Sequence, residues 1–222
     1  MAFVVAIDGP AGSGKGTITE IVGNKMNLTN IDTGAMYRCV TLDMIRKGVG
    51  LDDIDKINEI LDNIEIDMKK DENGLVFYLN GEDVSSLIRE KDVSSLVSQV
   101  SHIPEVRKAM VKLQREMGAT KDVIMEGRDI GTNVFPNADV KIYLDATPEE
   151  RANRRMKQNK EKGIEMSYEE VLENILFRDN NDKTSDVAPL RQAEDAHYID
   201  STNMTIDEVA SEVMRIINEV KE

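Results

Sequence analysis

Phe3-Val-Val-Ala-Ile-Asp-Gly-Pro-Ala-Gly-Ser-Gly-Lys-Gly-Thr17 is the stretch that decides the fold. Phe3 to Ile7 is apolar without alternation, the pattern of a strand buried on both faces. Four glycines follow, at 9, 12, 14 and 16, and then Ile18, Ile21, Val22 and Met26 recur at helical spacing. Strand, glycine-rich turn and helix in that order form the setting of a phosphate-binding loop. A triphosphate needs many N–H donors converging on a small volume. Glycine lets the backbone curl and approach closely, and the following helix points its N-terminal N–H groups at the anion. Gly9, Pro10, Ala11, Gly12, Ser13, Gly14, Lys15, Gly16 and Thr17 are therefore the expected nucleotide-binding segment, with Lys15 as the mobile charge for the β and γ phosphates. The usual hydroxyl after the lysine comes one place late. Gly16 holds its position and Thr17 follows, which leaves open whether Thr17 is a direct Mg²⁺ ligand.

The rest of the composition bounds the possibilities. With 222 residues, one domain with an elaboration is expected rather than two full domains. Apolar residues make up 40% but aromatics only 4%, with no Trp, so the core must be largely aliphatic and Met. A net charge of −14 argues against a general nucleic-acid or membrane-surface binder. An acidic nucleotide-binding protein must instead gather its arginines in one cleft. The single cysteine, Cys39, excludes an internal disulfide framework and reads as a small buried side chain. No apolar run approaches the roughly 18 residues of a membrane span. With no leader ahead of the first strand, a cytoplasmic protein is expected, and a monomer, since no exposed apolar stripe is evident.

Leu28 to Ile31 reads as a second strand, ending in Asp32-Thr-Gly-Ala-Met-Tyr-Arg38, which opens a helix. Asp32 and Thr33 could cap that helix or face a ligand at the sheet edge. An amphipathic helix over Ile54–Leu61 follows, capped by Asp52 or Asp53. The texture then changes to period-2 alternation over Ile64–Met68, a turn at Asp71-Glu-Asn-Gly74, Leu75–Leu79, a turn at Asn80-Gly81, and Asp83-Val84: a small antiparallel meander. Helices are expected near Val93–Val100 and Glu105–Met117, and strands at Val123–Glu126, Val140–Leu144 and Tyr198-Ile199. Thr147-x-x-Glu150, Ser167-x-x-Glu170 and Thr205-x-x-Glu208 are capping boxes that open helices. The first of these helices is basic, from Arg151 to Lys162, and forms with the second a charge-dense hairpin joined near Gly163. Such a hairpin is either a solvated surface or a lid that excludes water during transfer. Alternation of strands and helices predicts an α/β fold with a parallel sheet of about five strands and helices on both faces.

Arginine placement carries the functional reading. Arg38, Arg107, Arg128, Arg151, Arg154, Arg155 and Arg178 lie at helix starts near the sheet mouth or on the basic helix. Two phosphate-bearing substrates brought together need several forked cations. Arg128, between Gly127 and Asp129 at the end of a buried strand, is the least suited to an ordinary solvated role. Asp145 fits a Mg²⁺-organising carboxylate weakly and a structural role better, while Asp8, Asp32 and Asp129 are rival carboxylates that the sequence does not rank. His102 and His197 have no partner at ligand or triad spacing.

These motifs, together with Ser98-Gln-Val100, Pro104-Glu-Val-Arg107, Gly127-Arg-Asp-Ile-Gly-Thr132, Glu150-Arg-Ala-Asn-Arg-Arg155, Arg178-Asp179 and Ala188-Pro-Leu190, resemble the bacterial cytidylate kinase family over nearly the whole chain. The resemblance implies a P-loop nucleoside-monophosphate kinase fold. Its core would span 1–62, 87–146 and 184–222, its monophosphate-binding insertion 63–86, and its lid region 147–183. It implies transfer of the γ-phosphoryl group of ATP, with Mg²⁺, to CMP or dCMP. It places Asp32, Thr33, Tyr37, Arg38, Ser98, Arg107, Arg128, Asp129, Arg178 and Asp182 around the monophosphate. Its catalytic cations would be Lys15, Arg151 and Arg155 at the transferring group and Arg128, with Arg38 and Arg178, holding the acceptor in line, and Thr17 would be the candidate at the metal. Ser185 stands where the family often has an arginine. A kinase with another acceptor, and a nucleotide switch that binds ATP without transferring it, remain as alternatives on the residues alone.

Overall fold

The computed structural model describes residues 2–72, 74–161, 163–185 and 187–221. Asn73 of the expected turn and Lys162 of the basic helix lie outside them. The elements in chain order are β1 (Val4–Asp8), α1 (Lys15–Met26), β2 (Thr29–Asp32), α2 (Thr33–Lys47), α3 (Ile54–Asn63), β3 (Ile66–Asp71), β4 (Gly74–Leu79), β5 (Glu82–Asp83), α4 (Lys91–Val100), α5 (Pro104–Gly118), β6 (Val123–Gly127), β7 (Val140–Asp145), α6 (Pro148–Glu161), α7 (Tyr168–Lys183), β8 (His197–Asp200) and α8 (Ile206–Lys221). Contacts divide the chain into one unit of residues 1–30 and 118–222 and a second of residues 31–117.

The first unit carries a parallel sheet of order β2-β6-β1-β7-β8, five strands as the alternation predicts. Val4 to Asp8 pair in register with Val123 to Gly127 on one side, and Val5 to Asp8 with Val140 to Tyr143 on the other. All five residues of β1 are buried, which is why its sequence does not alternate. Val5, Ile7, Ile124, Ile142 and Leu144 pack with Ile18 and Val22 of α1 and Val209, Val213 and Ile217 of α8. Strand order reverses at β1, so the C-terminal ends of β1, β6 and β7 bound the crevice where open α/β sheets bind ligands. They deliver Asp8, Gly127 and Asp145 to that edge.

After β6 the chain makes one turn of π-helix, Ile130–Val134. Helices α6 and α7 form the expected hairpin, with Gly163 at φ +67° between them. Its caps differ from one another. Ser167 and Glu170 satisfy each other's backbone in a full capping box, as do Thr205 and Glu208. At Thr147 only half the box forms. Glu150 N–H reaches Thr147 Oγ1 at 3.3 Å, but the Glu150 carboxylate turns to Arg154, and Thr147 N–H donates to Thr202 Oγ1.

The second unit holds α2 to α5 and the antiparallel sheet β3-β4-β5. Strand β3 begins two residues later than the alternation suggests, because Ile64 is taken up as the C-cap of α3. Phe77, Leu79, Val84 and Ile88 are buried here. Cys39 is fully buried on α2, and burial pushes its thiol up to about 12.

Candidate active site

The loop after β1 closes on itself. Ser13 Oγ donates to Pro10 O at 3.1 Å, and Lys15 Nζ donates to Pro10 O at 2.8 Å and to Ser13 Oγ at 3.4 Å. Gly14 caps α1, so the helix starts at Lys15 and its first N–H groups face the loop. Gly9 has a fixed reason for lacking a side chain: a Cβ there would stand 2.0 Å from Leu144 O, at φ +153°. Lys15 is 5% exposed. Burial is the main cause that lowers its pKa to about 7, and the neighbouring Arg128 guanidinium pushes the same way. Thr17 is exposed at the start of α1.

Glu126 is a residue that motif reading misses. A Cβ on Gly16 would lie 3.0 Å from Glu126 Oε1, so a carboxylate occupies the space beside the position where a P-loop normally carries its hydroxyl. The late hydroxyl in the sequence has this structural counterpart. A carboxylate is a suitable donor for Mg²⁺, which takes one or two protein oxygens and completes its shell with phosphate and water. No group of three or more His, Cys, Asp or Glu side chains that could hold a metal by itself occurs among the described residues. Of the rival carboxylates, Asp8 accepts two backbone N–H groups, Asp145 accepts its own neighbour's N–H (Ala146, 2.8 Å), and Asp129 accepts Asn133 Nδ2 at 2.9 Å.

Arg128 leaves the end of β6 and pairs through Nε with Asp182 Oδ2 of α7 at 2.7 Å. The two basic-helix arginines named above have different fates. Arg151 is 2% exposed; its guanidinium is clasped by both Asp179 oxygens, at 2.9 and 2.5 Å, and also donates to Ala11 O and Ala146 O. Arg155 is exposed. Between them in sequence, Arg154 donates to Ser13 O, Ser201 Oγ and Ser201 O, fastening α6 to the glycine-rich loop. Arg178 is half-buried on α7.

In the second unit Asp32 is the N-cap of α2, accepting Ala35 N–H at 2.9 Å, and Thr33 behind it is buried. Arg38 Nη1 donates to Ser94 Oγ and Ile88 O. The Arg107 guanidinium lies over the Tyr37 ring, 5.8 Å from its centroid, and reaches Ser101 O at 3.4 Å. Ser98 is half-buried, its carbonyl taken by Ser101 Oγ and the His102 ring. Ser185, at the place of the family's arginine, has its hydroxyl at 3.5 Å from Ala188 N.

A parallel sheet of order β2-β6-β1-β7-β8 with a glycine-rich loop after β1 is the fold of a P-loop kinase. A gluconokinase from Sinorhizobium meliloti shares it at a TM-score of 0.51 and 12% identity, over 98% of this chain and 93% of that one. The profile of the cytidylate kinase family matches residues 5–219, and the chain belongs to that family. It is similar to the cytidylate kinase of Caldicellulosiruptor saccharolyticus, 48% identical over 97% of this chain and 96% of the relative. Its similarity to the cytidylate kinase of Fusobacterium nucleatum is 48% identity over 99% of both. The chain is accordingly a kinase. No helix among the described residues is long and apolar enough to cross a membrane.

Proposed function

We propose that the protein transfers the γ-phosphoryl group of ATP to CMP or dCMP, giving ADP and CDP or dCDP. The observation that carries the reading is the glycine-rich loop after β1, closed on the buried Lys15 through Pro10 O, with Arg128 paired to Asp182 at the end of the neighbouring β6. The loop and its lysine suit the phosphates of a donor nucleotide, and the family match supports CMP as the acceptor.

The acceptor is itself a phosphate oxyanion, so no strong general base is required. Transfer is a matter of positioning and of neutralising charge. Lys15 and the loop N–H groups hold the donor phosphates; Arg155 on α6 adds a cation from the hairpin, and Arg151 holds the hairpin to the loop at Ala11. Arg128, with Asp182 fixing its Nε, and Arg178 serve the acceptor phosphate. On the family resemblance we also assign to the monophosphate Asp129 of the first unit and Asp32, Thr33, Tyr37, Arg38, Ser98 and Arg107 of the second. Cytosine offers an N4 donor beside N3 and O2 acceptors, an edge that a hydroxyl, a carboxylate and an arginine can complement. Mg²⁺ entering with ATP would be held by Thr17 and Glu126, and would supply charge neutralisation across the phosphates. The protein acts as a cytoplasmic monomer in pyrimidine nucleotide metabolism.

Lys15→Ala and Arg128→Ala test the assignment. Each is expected to keep its far-ultraviolet circular dichroism while turnover with CMP falls about 10³-fold. Turnover near that of the parent chain in either variant contradicts the role given to that residue.

A further inference from the structure

Asp8 ends β1 and is 5% exposed. Both of its carboxylate oxygens are engaged. Oδ1 accepts the Ile130 N–H at 2.8 Å and Oδ2 accepts the Gly131 N–H at 2.7 Å. These donors lie 122 and 123 residues away in sequence. They open the π-helical turn and follow directly on Arg128-Asp129. A carboxylate in a buried site is costly unless it is fully bonded, and this one satisfies both oxygens on a single turn. The fit from the other side is equally close. A Cβ on Gly131 would sit 3.4 Å from Asp8 Oδ2 and 3.2 Å from Lys141 Cδ, and Lys141 is itself anchored by Pro136 O and Asp195. The residue after Asp8 is Gly9, the first of the phosphate loop.

We propose that Asp8 is a positioning residue for phosphoryl transfer, fixing the Arg128-Asp129 turn to the first residue of the phosphate loop so that Lys15 and Arg128 keep one spacing. Each of its oxygens accepts one backbone N–H of the turn, and through these bonds it acts on the turn. This role rests on the CMP kinase reading above. An amide of the same shape has a single oxygen. Asp8→Asn therefore turns an NH₂ group toward one of the two N–H donors and releases that edge of the turn.

The test compares the parent chain with Asp8→Asn, Arg128→Lys and the double variant, reading kcat and KM for CMP alongside the affinity for a fluorescent ATP analogue. Asp8→Asn is expected to bind the analogue like the parent chain and to lose about 10²-fold in kcat/KM for CMP, the scale of an ångström of misplacement. The double variant is expected to lose no more than the worse single one, because both act on one turn. Parent-like CMP kinetics in Asp8→Asn, losses that multiply, or an equal loss of analogue binding would each overturn the role. Gly131→Ala approaches the same turn without altering β1 and covers the case in which Asp8→Asn does not fold. It is expected to show the same CMP-selective loss, and parent-like kinetics in it count against the proposal. A parent chain that fails to phosphorylate CMP counts against the function itself, whereas an active parent with an unaltered Asp8→Asn counts against Asp8 alone.

Discussion

Arg151 and Asp179 meet as a two-pronged ion pair inside the α6–α7 hairpin, with Nη1–Oδ1 at 2.9 Å, Nη2–Oδ2 at 2.5 Å and side-chain exposures of 3% and 10%. Arg151 Nη1 and Nε also donate to the backbone of Ala11 and Ala146. One side chain thus ties both hairpin helices to the phosphate loop and to the end of β7. Its geometry is that of a structural clasp, whereas Arg155 on the same helix is exposed.

Removing Asp179 leaves a buried guanidinium without its counter-ion. Asp179→Ala is expected to destabilise the protein by about 3–5 kcal/mol, whereas replacing both partners by apolar residues of similar volume should cost far less. Urea denaturation of the single and double variants checks this. Equal losses in the two would show that the cost does not come from the unpaired charge.

Lys15 offers a proton signature of nucleotide binding. Its pKa in the free protein is lowered to about 7 by burial and by Arg128. A bound polyphosphate favours the charged ammonium and raises that value. Between the two values the lysine takes up a proton on binding. Calorimetric titration of ATP at pH 8 in buffers of different ionisation enthalpy is expected to show net proton uptake that fades toward pH 6. Binding with no buffer dependence would contradict it.

Two glycines with positive φ should respond differently to alanine. At Gly9 the new Cβ would be 2.0 Å from Leu144 O, so β7 and the loop must separate. At Gly48, φ +64°, nothing lies within 4 Å. Gly9→Ala is expected to cost about 3 kcal/mol or more and to weaken ATP binding. Gly48→Ala should cost only the left-handed strain of about 1–2 kcal/mol, with ATP affinity unchanged. Thermal melting with and without ATP separates the two.

Cys39 is fully buried with its thiol pushed up to about 12, chiefly by burial and then by Asp32. It is expected to resist thiol reagents at pH 8 in the native protein and to react fully in denaturant. Rapid native labelling would show that α2 opens far more readily than its packing implies.

Much of this was legible in the sequence because the signals are local. The run from Phe3 to Thr17 carries strand, loop and helix in consecutive residues. Asp53, Ser167 and Thr205 announce their helices through caps that reach only three positions. What stayed hidden depends on partners distant in the chain. A basic helix does not disclose that Arg151 turns inward to Asp179 while Arg155 stays in solvent. Glu126 precedes a recognised motif, yet its place beside Gly16 exists only once β6 lies next to β1. Asp8 reads equally well as a metal carboxylate until its two oxygens are seen on Ile130 and Gly131. The π-helical turn has no periodicity for a sequence to display.

The acceptor preference of the purified protein is the most direct test of the whole account. ADP release from ATP and Mg²⁺ is followed with CMP, dCMP, UMP, AMP and no acceptor. CMP and dCMP are expected to accelerate ADP formation well above every other condition, with CDP or dCDP accumulating in equal amount. Acceleration by another acceptor in their place, or ATP binding without acceleration by any monophosphate, would contradict it.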